Sequence, residues 1–182
     1  AEHKKDYYKN QLERMAWHDQ LTNLLNRSKF IELIEGKRGI PMKNQFIALI
    51  DIDHFKKVND TYGHLVGDNV LIQLSSIFAE RMKQNMIVAR YGGEEFIVYL
   101  EVATFEEAIV TLEHLRQQVR SMPFKIDDTH HIHLSISIGL AQLEKHTMLK
   151  DVIHTADQHL YVAKERGRDQ LISPYHVDLI YS

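Results

Sequence analysis

Two pairs of acidic residues are placed where they could do chemistry. Asp51 and Asp53 close the apolar run Phe46-Ile47-Ala48-Leu49-Ile50-Asp51-Ile52-Asp53, while Glu94 and Glu95 follow two glycines in Arg90-Tyr91-Gly92-Gly93-Glu94-Glu95-Phe96. Asp51 and Asp53, two residues apart, share one face of a strand. Carboxylates at a strand end, with another pair on a nearby turn, are the hard oxygen ligands that Mg²⁺ takes when substrate phosphates complete its shell. Such a set suits phosphoryl or nucleotidyl transfer, where a metal lowers phosphate charge, orients it and helps ionise an attacking hydroxyl.

The elements that must hold these acids are legible around them. The run from Phe46 has the length and apolarity of a strand buried on both faces. Met86 to Ala89 and Phe96 to Leu100 are β-patterned, and two glycines between such runs predict a hairpin. Phe55 to Asp60 predicts a short helix, and Thr61 to Asp68 a glycine-broken connection into a second one, where Val70, Leu71, Leu74, Ile77 and Phe78 recur at helical spacing. Residues 104 to 121 predict an amphipathic helix, His131 to Leu140 a strand, and Leu149 to Arg166 a last helix. A further helix is expected near Ser28 to Glu35 with Ser28 as its cap. The order β-α-β-β-α-β-α argues for an α/β (α+β) fold: a central mixed sheet with one antiparallel hairpin, covered by helices in the ferredoxin-like or polymerase-palm manner.

The chain of 182 residues, 44% of them hydrophobic, fits one domain with a little left over. We expect a linker helix over 1–17, a catalytic domain over 18–172 and a tail over 173–182. Tyr8, Leu12 and Met15 make a narrow apolar stripe on an otherwise polar helix, compatible with the end of a coiled coil below an upstream sensor or with a helix packed on the domain. A formal net charge of −3 from 22 basic and 25 acidic residues argues against a nucleic-acid surface. The absence of cysteine excludes a disulfide framework and agrees with a reducing compartment. No membrane-length run or signal-peptide pattern is present, so a cytoplasmic domain is expected, in a full-length protein that could itself be membrane-attached.

With these residues assembled, the chain resembles the GGDEF family of diguanylate cyclases from about Asp19 to Asp169. The resemblance rests on Asp19-x-Leu-Thr-x-Leu-x-Asn-Arg27, Asp51-Ile-Asp-His-Phe-Lys-x-x-Asn-Asp60, Gly63-His-x-x-Gly-Asp68, Gly92-Gly-Glu-Glu-Phe96, Ser135-Ile-Ser-Ile-Gly139 and Ala156-Asp-x-x-Leu-Tyr-x-Ala-Lys-x-x-Gly-Arg168. It implies condensation of two GTP into cyclic di-GMP, with two chains each presenting one nucleotide. By the same resemblance Asp51, the Ile52 carbonyl, Glu94 and Glu95 hold two Mg²⁺ ions per half-site, or Mn²⁺ in their place, and Glu94 is the candidate proton acceptor. Asn59 and Asp68 match the guanine-reading pair, although alone they would read as a helix C-cap and N-cap. Lys56, Lys164 and Arg168 are expected at the triphosphate with the amides near His54 and Phe55, against the plainer reading of Lys164 and Arg168 as a solvated helix face. Asp53 and Asp60 are expected as supports that tie the loop or bond Asn26 and Arg27.

The pattern departs from the family just before the hairpin. Where many members carry Arg-x-x-Asp, an inhibitory product site, this chain reads Lys83-Gln84-Asn85-Met86, so weak or absent product inhibition is expected. Asp169 stands where the family usually has asparagine. His131 and His133, two of 12 histidines, would share a strand face with Zn²⁺-binding spacing but lack an evident third ligand. The alternative to an active cyclase is a catalytically weak module that binds GTP or cyclic di-GMP and acts through protein contacts; the intact Asp51, Glu94 and Glu95 argue against it.

Overall fold

The computed structural model describes residues 1–40, 43–82 and 85–176. Its centre is β1 (Asn44–Ile52), whose residues after Asn44 are all buried. Such a strand needs a partner on each edge and a cover on each face. β3 (Glu95–Val102) and β6 (Ile136–Leu143) pair with it on either side, both antiparallel. β2 (Met86–Gly92) pairs antiparallel with β3, and the short β7 (Leu171–Ile172) runs parallel to β6. The resulting order β2-β3-β1-β6-β7 makes the mixed sheet that the sequence predicts.

Two apolar layers clamp this sheet. Phe46, Ala48, Ile50 and Ile52 face one layer, built from Phe55 and Val58 of α3 (Phe55–Tyr62), Val70, Leu74 and Phe78 of α4 (His64–Arg81), and Leu112 and Leu115 of α5 (Phe105–Ser121). Ile47 and Leu49 face the other, where Phe30 and Ile34 of α2 (Arg27–Gly36) meet Val152, Ala156 and Leu160 of α6 (Leu149–Glu165). Alternation along β1 therefore assigns Asp51 to the α2/α6 side. α1 (Glu2–Trp17) buries no residue, and Tyr8, Leu12 and Met15 on it stay exposed.

Several local expectations need correction. The cap of α2 is Asn26, whose side chain accepts from the Lys29 N–H at 2.9 Å; Ser28 lies inside the helix. His131 to Leu140 do not form one strand. Instead β5 (His131–Ile132) pairs with β4 (Phe124–Lys125) in a separate two-stranded sheet, and β6 starts only at Ile136. His133 thus lies beyond the strand that would have aligned it with His131, which removes the geometric basis of the Zn²⁺ spacing. Between α3 and α4 only Gly63, at φ 90°, interrupts the helices, so Gly67 and Asp68 lie within α4 and Asp68 is not its N-cap.

Candidate active site

The sheet brings the acidic residues together at one end. In the antiparallel ladder Asp51 lies opposite Glu95, so both side chains share the α6 side of the sheet. Glu94 sits beside them in the Gly93–Glu94 turn, and the Ile52 N–H reaches the Glu94 carbonyl at 3.4 Å. Gly93 adopts φ 53°, a left-handed conformation that favours glycine. Arg90 holds this turn from behind, donating from Nε and Nη2 to the Gly93 carbonyl at 3.0 and 2.9 Å and from Nη1 to Asp19 Oδ2 at 3.2 Å.

Asp19 is in turn fastened to Thr22, whose N–H and hydroxyl donate to Oδ2 at 2.9 and 2.8 Å. Burial opposes ionisation of Asp19, yet these bonds and the Arg90 charge outweigh it and hold the carboxyl below its ordinary value. The clamp was missed in the sequence. Its signal is Arg90 two residues ahead of Gly92 and the Asp19-x-x-Thr22 spacing.

Asp51 is 6% exposed, and burial raises its carboxyl above the ordinary value. Glu94 and Asp53 add to that rise, while Lys164 opposes it through a hydrogen bond and its charge. The Lys164 ammonium, from the last turn of α6, sits 2.6 Å from Asp51 Oδ2. Burial likewise raises Glu95, followed by repulsion from Asp51, with smaller additions from Asp157 and Glu94 and relief from Lys164. Crowded, partly desolvated carboxylates that resist ionisation are a set whose repulsion a divalent cation relieves, so the donors fit the hard metal expected for them.

A cleft of about 450 Å³ opens in front of these groups, lined by Asp51, Ile52, Asp53, His54, Phe55, Lys56, Lys57, Asp60, Glu94, Lys164 and Arg168. The first turn of α3 forms one wall, and a helix N-terminus presents N–H groups that lack partners within the helix. His54 precedes it at φ 57°. Glu95 lines a different cavity of about 580 Å³ between α2 and α6, together with Arg27, Asp157 and an apolar floor. Asn59 and Asp68 do not line the acidic cleft. Asn59, half-buried on α3, lies against Gly67 of α4 so closely that a Cβ added there would stand 1.9 Å from Asn59 Oδ1, and Asp68 follows Gly67, exposed.

Asp53 is the support expected of it, and of the two expected forms it takes the loop-tying one. Its carboxylate accepts from the Ser135 and Ser137 hydroxyls, each at 2.6 Å, and from the Asp169 N–H at 3.0 Å, tying the end of β1 to β6 and to the turn after α6. Asn26, by contrast, caps α2 and reaches the Ala16 carbonyl, and Arg27 lies over the Tyr91 ring. Of the stretch ahead of the hairpin, Lys83 and Gln84 lie outside the described residues; Asn85 donates to the Glu101 carbonyl at 3.3 Å, and Met86 opens β2 with its side chain buried.

Residues 16–170 match the family model for the diguanylate cyclase GGDEF domain. The chain belongs to the GGDEF family. Among curated relatives, diguanylate cyclase DosC of Escherichia coli K12 is 38% identical over 160 residues, 84% of this chain and 34% of that protein. Diguanylate cyclase DgcP of Pseudomonas aeruginosa is 37% identical over 156 residues, again 84% of this chain but 23% of the relative. The chain thus spans between about a quarter and about a third of the length of these GGDEF relatives. Among solved structures, the coiled coil and GGDEF domain of DgcB from Caulobacter crescentus, in complex with c-di-GMP, superposes with a TM-score of 0.83 at 30% identity, covering 94% of this chain and 92% of that one. Diguanylate cyclase SiaD of P. aeruginosa, in complex with its activator SiaC, gives 0.82 at 27% identity, covering 94% of this chain and 67% of that one.

Proposed function

We propose that this GGDEF domain is an active diguanylate cyclase that joins two GTP molecules into cyclic di-GMP and releases two pyrophosphates. One observation carries the reading: Asp51 and Glu94 line a cleft rimmed by Lys56, Lys164 and Arg168, with Glu95 directly across the ladder from Asp51. Acids at the centre and cations at the rim are what a metal-dependent reaction on a triphosphate requires.

Asp51, the Ile52 carbonyl, Glu94 and Glu95 would hold Mg²⁺, or Mn²⁺ in its place, two ions per half-site. Bound there, the metal supplies Lewis acidity at the α-phosphate and makes the 3′-hydroxyl easier to ionise. Lys164 lines the cleft beside Asp51 and bonds its carboxylate, so its ammonium can exchange that carboxylate for a phosphate oxygen. Arg168 and Lys56 neutralise the remaining triphosphate charge, and the N–H groups opening α3 near His54 and Phe55 orient it. Asp68 accepts from the guanine N1–H and exocyclic amine, while Asn59 offers one donor and one acceptor; adenine leaves these groups unpaired.

Glu94 accepts the proton of the attacking 3′-hydroxyl. That oxygen bonds to the α-phosphorus of the second GTP, the bond from that phosphorus to the bridging oxygen breaks, and pyrophosphate leaves. The same exchange in the opposite sense closes the ring. Each chain positions only its own nucleotide, so the reaction needs a homodimer, and α1 is the element that joins the domain to an upstream sensor in the longer, cytoplasmically exposed protein. Among the described residues no helix is long and apolar enough to cross a membrane.

Pyrophosphate release with GTP and with ATP, in Mg²⁺, tests the reading. One pyrophosphate per GTP consumed, a rate rising more steeply than linearly with protein concentration, and little turnover of ATP are expected. Release of inorganic phosphate instead, or equal use of ATP, would overturn it.

A further inference from the structure

The turn after α6 carries Arg168 into the cleft in an uncomfortable conformation. Gly167, Arg168 and Asp169 have φ values of 105°, 66° and 48°, three left-handed residues in a row, of which two carry side chains. Non-glycine residues hold this conformation only where their surroundings over-determine it. The bonds that do so converge on Asp169. Its Oδ1 accepts from Arg116 Nη1 at 2.7 Å and its Oδ2 from Arg120 Nη1 at 2.8 Å, so each carboxylate oxygen is taken by a different guanidinium of α5. The Arg116 Nη1 also donates to the Asp169 carbonyl at 3.0 Å, and the Asp169 N–H donates to Asp53 Oδ2 at 3.0 Å.

Arg116 is itself only 8% exposed and is braced by Glu113, whose Oε2 lies 2.6 Å from its Nη2. The Arg116 arm of the clamp is therefore rooted in the buried face of α5, while Arg120 reaches Asp169 from the exposed side of the same helix. An asparagine at 169 could offer only one oxygen and would turn an NH₂ toward the second guanidinium.

We infer that Asp169 is a positioning residue, which through Arg116 and Arg120 fixes the left-handed turn that aims Arg168 at the substrate triphosphate. Asp53 closes the circuit on the other side, linking the same turn to the end of β1 two residues beyond Asp51. The grip on phosphate thereby depends on α5, a helix that lines no part of the acidic cleft. The inference rests on the reading of that cleft as a GTP site.

Calorimetry with 3′-deoxy-GTP and Mg²⁺, which can bind but cannot be joined, separates the possibilities in a double-mutant cycle of Asp169→Ala and Arg168→Ala. Each single variant should weaken binding about tenfold, the scale of one charge-assisted contact, and the double variant should be no weaker than Arg168→Ala alone. Asp169→Glu should restore most of the loss. If Asp169→Ala does not fold by thermal melting, Asp169→Asn and Arg120→Ala enter the same cycle. Unchanged binding in a folded Asp169 variant, or an equal further loss in the Arg168→Ala background, would overturn the positioning role. Failure of the unmodified chain to bind 3′-deoxy-GTP would overturn the GTP reading itself, and the role with it.

Discussion

Gly67→Ala separates substrate recognition from folding. A methyl group at this position would stand 1.9 Å from Asn59 Oδ1, 3.0 Å from Asn59 Cγ and 3.3 Å from Phe55 Cζ. Since real Cβ contacts do not fall below 3.0 Å, Oδ1 must retreat by at least 1.1 Å, the difference between 3.0 and 1.9 Å. A hydrogen bond to guanine does not survive such a shift, because the favourable window is only about 0.5 Å wide. If Asn59 loses two bonds worth about 1 kcal/mol each, kcat/KM for GTP falls about 30-fold while ATP is unaffected. Stability moves the other way or stays level, since alanine in a helix interior is favoured over glycine by about 1 kcal/mol, offsetting the displaced side chain. Pyrophosphate release with each nucleotide, beside a thermal melt, reads both effects, and Asn59→Ala should reproduce the loss of discrimination. A folded Gly67→Ala protein that still prefers GTP as the parent does would refute the role given to Asn59.

Three further outcomes follow from the same geometry. Gly139→Ala would set a methyl group 2.0 Å from the Ala156 carbonyl oxygen and 2.3 Å from the Leu160 nitrogen, backbone atoms that move only with α6; a loss of about 3 kcal/mol and a melting temperature lower by about 9 °C are expected, and an unchanged melt would contradict the packing. The carboxyls of Asp51 and Glu95 are raised from 3.8 and 4.5, so the folded state binds their protons more tightly than the unfolded chain. Their contribution to stability is therefore present below those ordinary values and lost as pH rises through the raised ones. In chelator, Glu95→Gln should flatten the fall in melting temperature over that window, and Mg²⁺ should recover stability above it; identical slopes for parent and variant would refute the crowding argument. Finally, cyclic di-GMP titrated calorimetrically should show no tight site ahead of the hairpin, and tight binding abolished by Lys83→Ala would sink the expectation of weak product inhibition.

What could be read from the sequence was what local patterning specifies. β1 was visible because a strand buried on both faces needs an unbroken apolar run, and the hairpin because Gly92 and Gly93 separate two β-patterned segments. The amphipathic helices α5 and α6 announced themselves by period. The cap of α2 is ambiguous in the sequence because Asn26 and Ser28 are both good capping residues, and only the backbone decides which side chain reaches a free N–H. The break after Ile132 was hidden because His131 to Leu140 alternates throughout, while pairing ends after two residues.

The candidate site divides the same way. The clustered acids and the motif cations were legible, but their mutual contacts were not, since these join residues far apart in the chain. Lys164 meets Asp51 across 113 positions, and Arg116 meets Asp169 across 53. Asp53 looked equally able to serve α2 or the loop, and only the folded chain shows it fastened to Ser135, Ser137 and Asp169.

The most direct measurement is mass spectrometry of the products formed from GTP and Mg²⁺ at high protein concentration, with Asp51→Ala run alongside. The account predicts cyclic di-GMP from the parent chain and none from the variant. GTP bound yet recovered unchanged, or the same product from both proteins, would contradict it.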